Sequence, residues 1–230
     1  KQNYVPWLHV GAGCITMGSV DNSVRKMFEA GANATWAYSR DAWMYSARNS
    51  NHTNIEYGVP VLDTLKPRML SRKLGKILVA INPVTRMAIG EELKLVRDIK
   101  SAIERCAFHD TKVVWSTPNE DPGAVELLNA LREAWPDGEM RLPFLDELET
   151  CRCIVGNSSA ALIEAPALLT PYVDCGWRQW GRPGSQLLQG VEAIASQIYR
   201  AEVPRTVPFR HPTRSACKKI MQICEVLNGV

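Results

Sequence analysis

Apolar residues along this chain come in short unbroken runs separated by stretches of helical period. The clearest run is Ile77–Ile81 (ILVAI), with no polar alternation, the pattern of a strand buried on both faces of a parallel sheet. Upstream, Pro6–Val10 predicts a strand ending at a Gly-rich turn, Gly11-Ala12-Gly13. Asp21–Ala30 predicts a helix with Val24, Met27 and Phe28 on one face and Asp21 as its N-cap. Ala34–Ser39 predicts a strand, residues 40–48 a helix, and Asn54–Tyr57 a short strand closed by Gly58. Pro60–Leu70 reads as a connector with basic residues, a candidate hinge.

A second series starts with ILVAI. Glu91–Cys106 carries Leu93, Val96, Ile99 and Ile103 at helical spacing, and Lys112–Thr117 is the next strand. Asp121 followed by Pro122 predicts an N-cap with proline at the first helical position, for a helix running to about Trp135. Cys151–Gly156 predicts a strand, Ser158–Leu168 a helix, Pro171–Cys175 a strand and Ser185–Tyr199 a helix. Arg214–Leu227 predicts a last amphipathic helix with Cys217, Ile220, Met221 and Cys224 on one face.

Strands alternating with helices of this length mean βαβ units and a parallel sheet. The expected fold class is therefore α/β, with two Rossmann-type domains. Residues 1–70 make an incomplete first domain and connector. Residues 71–204 make a complete doubly wound domain, and 205–230 a linker and last helix.

Composition narrows the picture. The chain has 230 residues, 46% hydrophobic and 22% charged, which excludes disordered, collagen-like and coiled-coil classes. No run approaches the roughly 18 apolar residues of a membrane span. The net charge is +3 with no clustered Lys/Arg stripe, so no nucleic-acid partner is expected. Seven cysteines, with no secretory signal ahead of them, read as reduced and mostly buried thiols in a cytoplasmic setting. Cys151 and Cys153 form C-x-C, without the paired CxxC of a zinc site, so no metal is expected. The sequons at Asn33 and Asn51 carry little weight in such a chain. The tryptophans read mostly as core or interface residues.

In open α/β sheets ligands bind at the carboxyl ends of the strands, so the loops after each strand are where chemistry belongs. After Cys151–Gly156 come Asn157, Ser158 and Ser159. Small hydroxyl residues at a helix start leave N–H groups that suit a diphosphate, or serve simply as N-caps. Glu164, about two turns on, suits the hydroxyls of a ribose. Arg178 and Arg182, in a Gly-rich loop at the same edge, either neutralise a diphosphate or form a solvated basic loop. Asn82 follows ILVAI and Asn119 follows KVVWST; each sits in a polar loop at this edge. In the first series His9 ends a strand and Asp21 opens a helix.

Taken in order, these loops resemble the UDP-N-acetylglucosamine 2-epimerases, particularly the hydrolysing kind of sialic acid biosynthesis. His9-Val-Gly-Ala-Gly13 with Val20-Asp-Asn-Ser-Val-Arg25 resembles HIEGGE…IDDSIR. Gly58-Val-Pro-Val-Leu-Asp63 resembles G-x-P-x-x-D, and Asn82-Pro-Val-Thr85 resembles HPVT. Pro118-Asn-Glu-Asp-Pro-Gly123 resembles PNxDxG. Gly156-Asn-Ser-Ser159 with Glu164-Ala-Pro166 resembles GNSSxGxxEAP, and Arg178-Gln179 with Gly181-Arg182 resembles RQxGR. The resemblance implies a GT-B-like fold with a UDP-sugar, UDP-GlcNAc, between the domains, and a last helix, within 205–230, that crosses back to the first domain. It implies Ser158, Ser159 and Glu164 on diphosphate and ribose, with Arg178, Arg182, Asn82 and Asn119 around the same ligand. It places Asp21, His9 and Arg25 on the catalytic side. No cofactor is implied, and a homo-oligomer is expected from the resemblance alone.

The departures fall on the sugar side. Gly11 and Cys14 stand where the family has Glu, Asn22 where it has Asp, and Asn82 where it has His. Doubly wound domains are built of two halves, and the resemblance begins roughly 90 residues into the family's pattern, so an absent N-terminal stretch is expected. Three functions follow: elimination of UDP at C2, sugar transfer by a diverged GT-B glycosyltransferase, or non-catalytic nucleotide-sugar binding.

Overall fold

A computed structural model describes residues 8–12, 34–37, 44, 53–65, 73–84, 90–108, 111–202, 204 and 216–228. These fall into two compact units.

The first unit contains a three-stranded parallel sheet ordered β1-β2-β3: β1 Leu8–Ala12, β2 Ala34–Ala37 and β3 Thr53–Tyr57. Gly11 does not end the first strand. It is passed over in the register, with Val10 opposite Trp36 and Ala12 opposite Ala37, so the expected turn is a bulge inside β1. A single 3-10 turn, Pro60–Asp63, follows β3 and buries Leu62. The last helix of the chain, Ala216–Asn228, contacts this turn. Of the residues expected on one face of this helix, Met221 and Cys224 are exposed and Ile220 is half-buried, while the Cys217 side chain lies outside those described. The helices expected over 21–30 and 40–48 lie outside the described residues, apart from Met44.

The second unit is a four-stranded parallel sheet ordered β5-β4-β6-β7: β4 Lys73–Ala80, β5 Lys112–Trp115, β6 Cys151–Gly156 and β7 Tyr172–Asp174. Its helices are α1 Gly90–Arg105, α2 Ala124–Ala134, α3 Phe144–Thr150, α4 Glu164–Ala167 and α5 Val191–Arg200, which makes the last helix of the chain α6. Ile77, Leu78 and Val79 are all fully buried, as a strand covered on both faces requires. One face packs on Leu95, Val96, Ile99 and Ile103 of α1, Leu127 and Leu131 of α2, and Ile194 and Ile198 of α5. Each such side chain contributes roughly 1.5–3 kcal/mol by leaving water. Leu148 of α3, which contacts β4 and β6, is fully buried as well.

Several boundaries differ from expectation for identifiable reasons. The helix expected from Asp121 starts at Ala124, because Gly123 (φ +94°) takes the N-cap position and Asp121 spends its carbonyl on the Ala124 N–H. The helix expected over Ser158–Leu168 is a 3-10 turn, Ser159–Ala161, followed by the one-turn α4. Pro166 lacks the N–H that a continuous helix would donate to the Leu162 carbonyl. The helix expected from Ser185 starts at Val191. The segment before it is drawn alongside β7: the Leu188 N–H donates to the Asp174 carbonyl, and the Leu188 carbonyl accepts from Gly176. Helix α3 had no clear signal in the sequence.

The described cysteines are free: Cys151, Cys153 and Cys175 are buried, Cys106 is half-buried and Cys224 is exposed. Burial pushes the Cys153 and Cys175 thiols far above their ordinary range, the state of inert core thiols. Trp115 is fully buried, whereas Trp177 and Trp180 are 40% and 46% exposed, contrary to a core role. Among the described residues no helix is long and apolar enough to cross a membrane.

Candidate functional site

The carboxyl edge of the second sheet is organised by Asn157, the first residue after β6. Its position follows from Gly156. That glycine has φ +142°, and a Cβ there would stand 2.1 Å from the Ala80 carbonyl oxygen, so the two central strands end in backbone contact. The Asn157 and Ser158 N–H groups then both donate to the Ala80 carbonyl, at 3.1 and 3.2 Å.

The Asn157 side chain reaches across to the loop after β4. Its Oδ1 accepts the Asn82 N–H at 2.7 Å and its Nδ2 donates to the Asn82 carbonyl at 2.9 Å. Asn82 passes the connection on, because its Oδ1 accepts the Asn119 N–H of the loop after β5 at 2.9 Å. On the other side the Asn157 carbonyl accepts from Gln179 Nε2 at 2.6 Å and from Arg178 Nη1 at 3.3 Å. Arg178 Nε donates to the Pro83 carbonyl at 3.3 Å, and Arg182 Nη1 donates to Gln179 Oε1 at 2.8 Å. All four strand-end loops are thereby tied into one edge. Asn157 is almost fully buried and Gln179 completely so.

Asn82, Asn119, Arg178 and Arg182 are thus brought together as expected residues, through two that were not singled out, Asn157 and Gln179. An Asn after a strand reads as an ordinary turn residue, so its bridging role had no sequence signal. Asn82 works here as a connector. Its side-chain oxygen is committed to a backbone N–H, a geometry without proton-transfer capacity. The expected fan of free N–H groups after β6 is largely engaged. Ser158 Oγ accepts the Ala160 N–H at 3.3 Å, and the Ala161, Leu162 and Ile163 N–H groups donate to the Ser158 and Ser159 carbonyls. Ser158 therefore does serve as a cap.

A half-buried acid, Glu164, and a buried one, Asp174, stand near Arg182. Burial pushes the Glu164 carboxyl up, with the Arg182 charge pulling it partly back, and Glu164 Oε2 has no hydrogen-bond partner. Asp174, at the end of β7, is fully buried, and burial pushes it up to about 6 against the pull of two N–H donors and Arg182. Its Oδ2 accepts from the Gln186 N–H (3.0 Å) and the Leu187 N–H (3.4 Å), which pins the loop carrying Arg182 to the sheet. Of the remaining expected residues, His9 lies on β1 in the first unit, and Asp21 and Arg25 lie outside the described residues. Among the described residues no group of three or more His, Cys, Asp and Glu could hold a metal ion.

Solved structures share this architecture at low identity. A Methanocaldococcus jannaschii UDP-GlcNAc 2-epimerase, solved with UDP-GlcNAc and UDP, matches with a TM-score of 0.67 at 15% identity, over 98% of this chain and 69% of that one. This chain has the fold of the UDP-N-acetylglucosamine 2-epimerases. The Rickettsia bellii epimerase matches with a TM-score of 0.63 at 16% identity, over 97% of this chain and 68% of its own. The S. aureus protein MnaA, solved with UDP, also gives 0.63, at 14% identity over 98% and 69%. No protein-family model and no curated protein sequence matches the chain. The expected α/β, GT-B-like class holds, at 14–16% identity to these solved structures.

Proposed function

We propose that this chain binds a UDP-sugar, UDP-GlcNAc, at the carboxyl edge of its second sheet and eliminates UDP from it. The observation that carries this reading is the Asn157 network, which ties the loops after β4, β5, β6 and β7 into one edge in a fold shared with epimerases solved with UDP. In it, Arg182 faces the diphosphate, where a guanidinium suits two phosphate groups. Ser158 and Ser159 flank the diphosphate. Glu164, with an unpartnered buried oxygen, accepts from the ribose hydroxyls. Asn119 and Asn82 form the wall beside it, and Arg178 holds the loop in place.

In the reaction, a base takes the proton from C2 of the sugar and the bond from C1 to the UDP oxygen breaks. A C1–C2 double bond remains, and UDP leaves with the electron pair. Addition of water to this glycal gives the free C2 epimer. Asp21 is the acid/base residue by resemblance, with His9 and Arg25 flanking it.

One observation favours a second reading. Asn82 occupies the family's histidine position and spends its side chain on Asn119. Losing a general acid or base typically slows a reaction about 10²–10⁴-fold. A protein with Gly11, Asn22 and Asn82 at those positions suits nucleotide-sugar binding without turnover, or sugar transfer to an acceptor. Incubation with UDP-GlcNAc, followed by assay of UDP and free N-acetylmannosamine, separates the cases. Both products support elimination, UDP release only with an added acceptor supports transfer, and binding without products supports the non-catalytic role. No binding of UDP overturns all three.

A further inference from the structure

A cavity opens on the second unit between the first half of α1 and the turn after β7, with Asn157 of the strand-end network in its wall. Its volume is about 50 Å³, and Glu91, Glu92, Lys94, Asp98 and Trp177 are among its lining residues. At roughly 10–15 Å³ per water-sized group, it has room for about four heavy atoms.

Three features of its wall point to one kind of occupant. Glu92 is only 2% exposed. Its Oε1 accepts the Val84 N–H at 2.7 Å, while its Oε2 has no hydrogen-bond partner. A buried carboxylate oxygen left this way is destabilising, and a ligand donor would offset that cost. The charge is also one-sided. Lys94 is the one basic residue of the described lining and already sits on Asp98 at 2.5 Å, so among the described residues of the wall no cation pairs with Glu91 or Glu92. Lastly, Trp177 is 40% exposed and supplies an aromatic surface.

We propose that this cavity binds a guanidinium group. Guanidinium has four heavy atoms, a positive charge for the excess of carboxylates, several N–H donors for Glu92 Oε2, and a planar face that stacks on indole. An ammonium group has the charge and donors but no plane, and is more strongly hydrated. The group arrives either on a small guanidino compound or on an arginine residue of a peptide. The inference does not depend on UDP binding.

Calorimetry on the full chain tests it, with ethylguanidinium and the peptide acetyl-Gly-Arg-Gly-amide as probes and ethylammonium as control. Saturable binding of either guanidinium probe is expected, at least tenfold weaker in both Glu92→Gln and Trp177→Leu. Glu92→Gln keeps the oxygen that accepts from Val84, and Trp177 is half-exposed, so folding is checked by circular dichroism. Binding of the peptide alone assigns the source to a protein-borne arginine, and binding of ethylguanidinium with equal strength to a small compound. Absence of saturable binding by both probes overturns the proposal. So does ethylammonium binding as tightly as ethylguanidinium, or wild-type affinity in both variants.

Discussion

Replacing Asp174 with asparagine should abolish a specific part of the protein's pH-dependent stability. Burial is the main reason that this carboxyl is pushed from 3.8 to about 6. Two backbone N–H donors and Arg182 oppose the shift without cancelling it, and Oδ1 has no hydrogen-bond partner. A folded-state value above the unfolded one means that the folded protein holds the proton more tightly. The associated stability is fully present below about pH 4 and is lost as the pH rises through 6. At about 1.4 kcal/mol per pH unit, the displacement amounts to about 3 kcal/mol. Asparagine is isosteric, keeps an oxygen for the Gln186 and Leu187 N–H groups, and does not titrate. Urea unfolding of both proteins at constant ionic strength across this range gives the comparison. The variant should gain on the parent as pH rises, by up to about 3 kcal/mol between pH 4 and 7.5. A constant stability difference, or a parent that gains on the variant with rising pH, refutes the burial argument for this residue.

Other outcomes follow from the same geometry. Glu164→Ala should weaken UDP binding roughly 10–100-fold, the usual worth of a hydrogen bond to a charged group; unchanged affinity by calorimetry removes the ribose assignment. Lys76 is buried against Glu147 and donates to Thr150 Oγ1 at 2.6 Å. Lys76→Met should therefore cost about 3–5 kcal/mol in denaturant unfolding, most of it recovered by adding Glu147→Leu. A single variant as stable as the parent contradicts this. Gly156→Ala combines a Cβ 2.1 Å from the Ala80 oxygen with φ +142° and should cost more than about 4 kcal/mol. A thermal midpoint within a few degrees of the parent's would show that the strands do not meet as described.

The sequence exposed the fold where burial alone determines structure. ILVAI and CRCIVG lie in strands covered on both faces, and their apolar runs are a direct record of that. The Leu/Val/Ile spacing of α1 placed that helix to within a residue at each end. What stayed hidden depends on contacts distant in sequence. Residues 185–190 carry a helix-compatible pattern, but Asp174 and β7 capture their N–H groups, and tertiary hydrogen bonding outweighs local preference. Helix α3 is seven residues long, too short for a periodic signal. In the site, Arg178, Arg182, Asn82 and Asn119 were legible as polar residues at strand ends. Asn157 and Gln179 stood inside the quoted motifs, but their bridging role was not legible, because it lies in bonds to residues distant in sequence. Glu92 was hidden for a related reason: on a helix it looks like one more exposed acid.

The strand order also sets when this edge can exist during synthesis. Strand β4 lies between β5 and β6, and Asn82 and Asn157, which join the strand-end loops, are 75 residues apart. At about 5–20 residues per second, roughly 4–15 s separate their emergence from the ribosome. Throughout that interval ILVAI has at most one neighbouring strand, and its other hydrogen-bonding edge is open to any strand that arrives first. Assembly of this edge is therefore a late event in the life of each nascent chain, and factors that shield extended apolar segments should affect the yield of this protein more than its final stability.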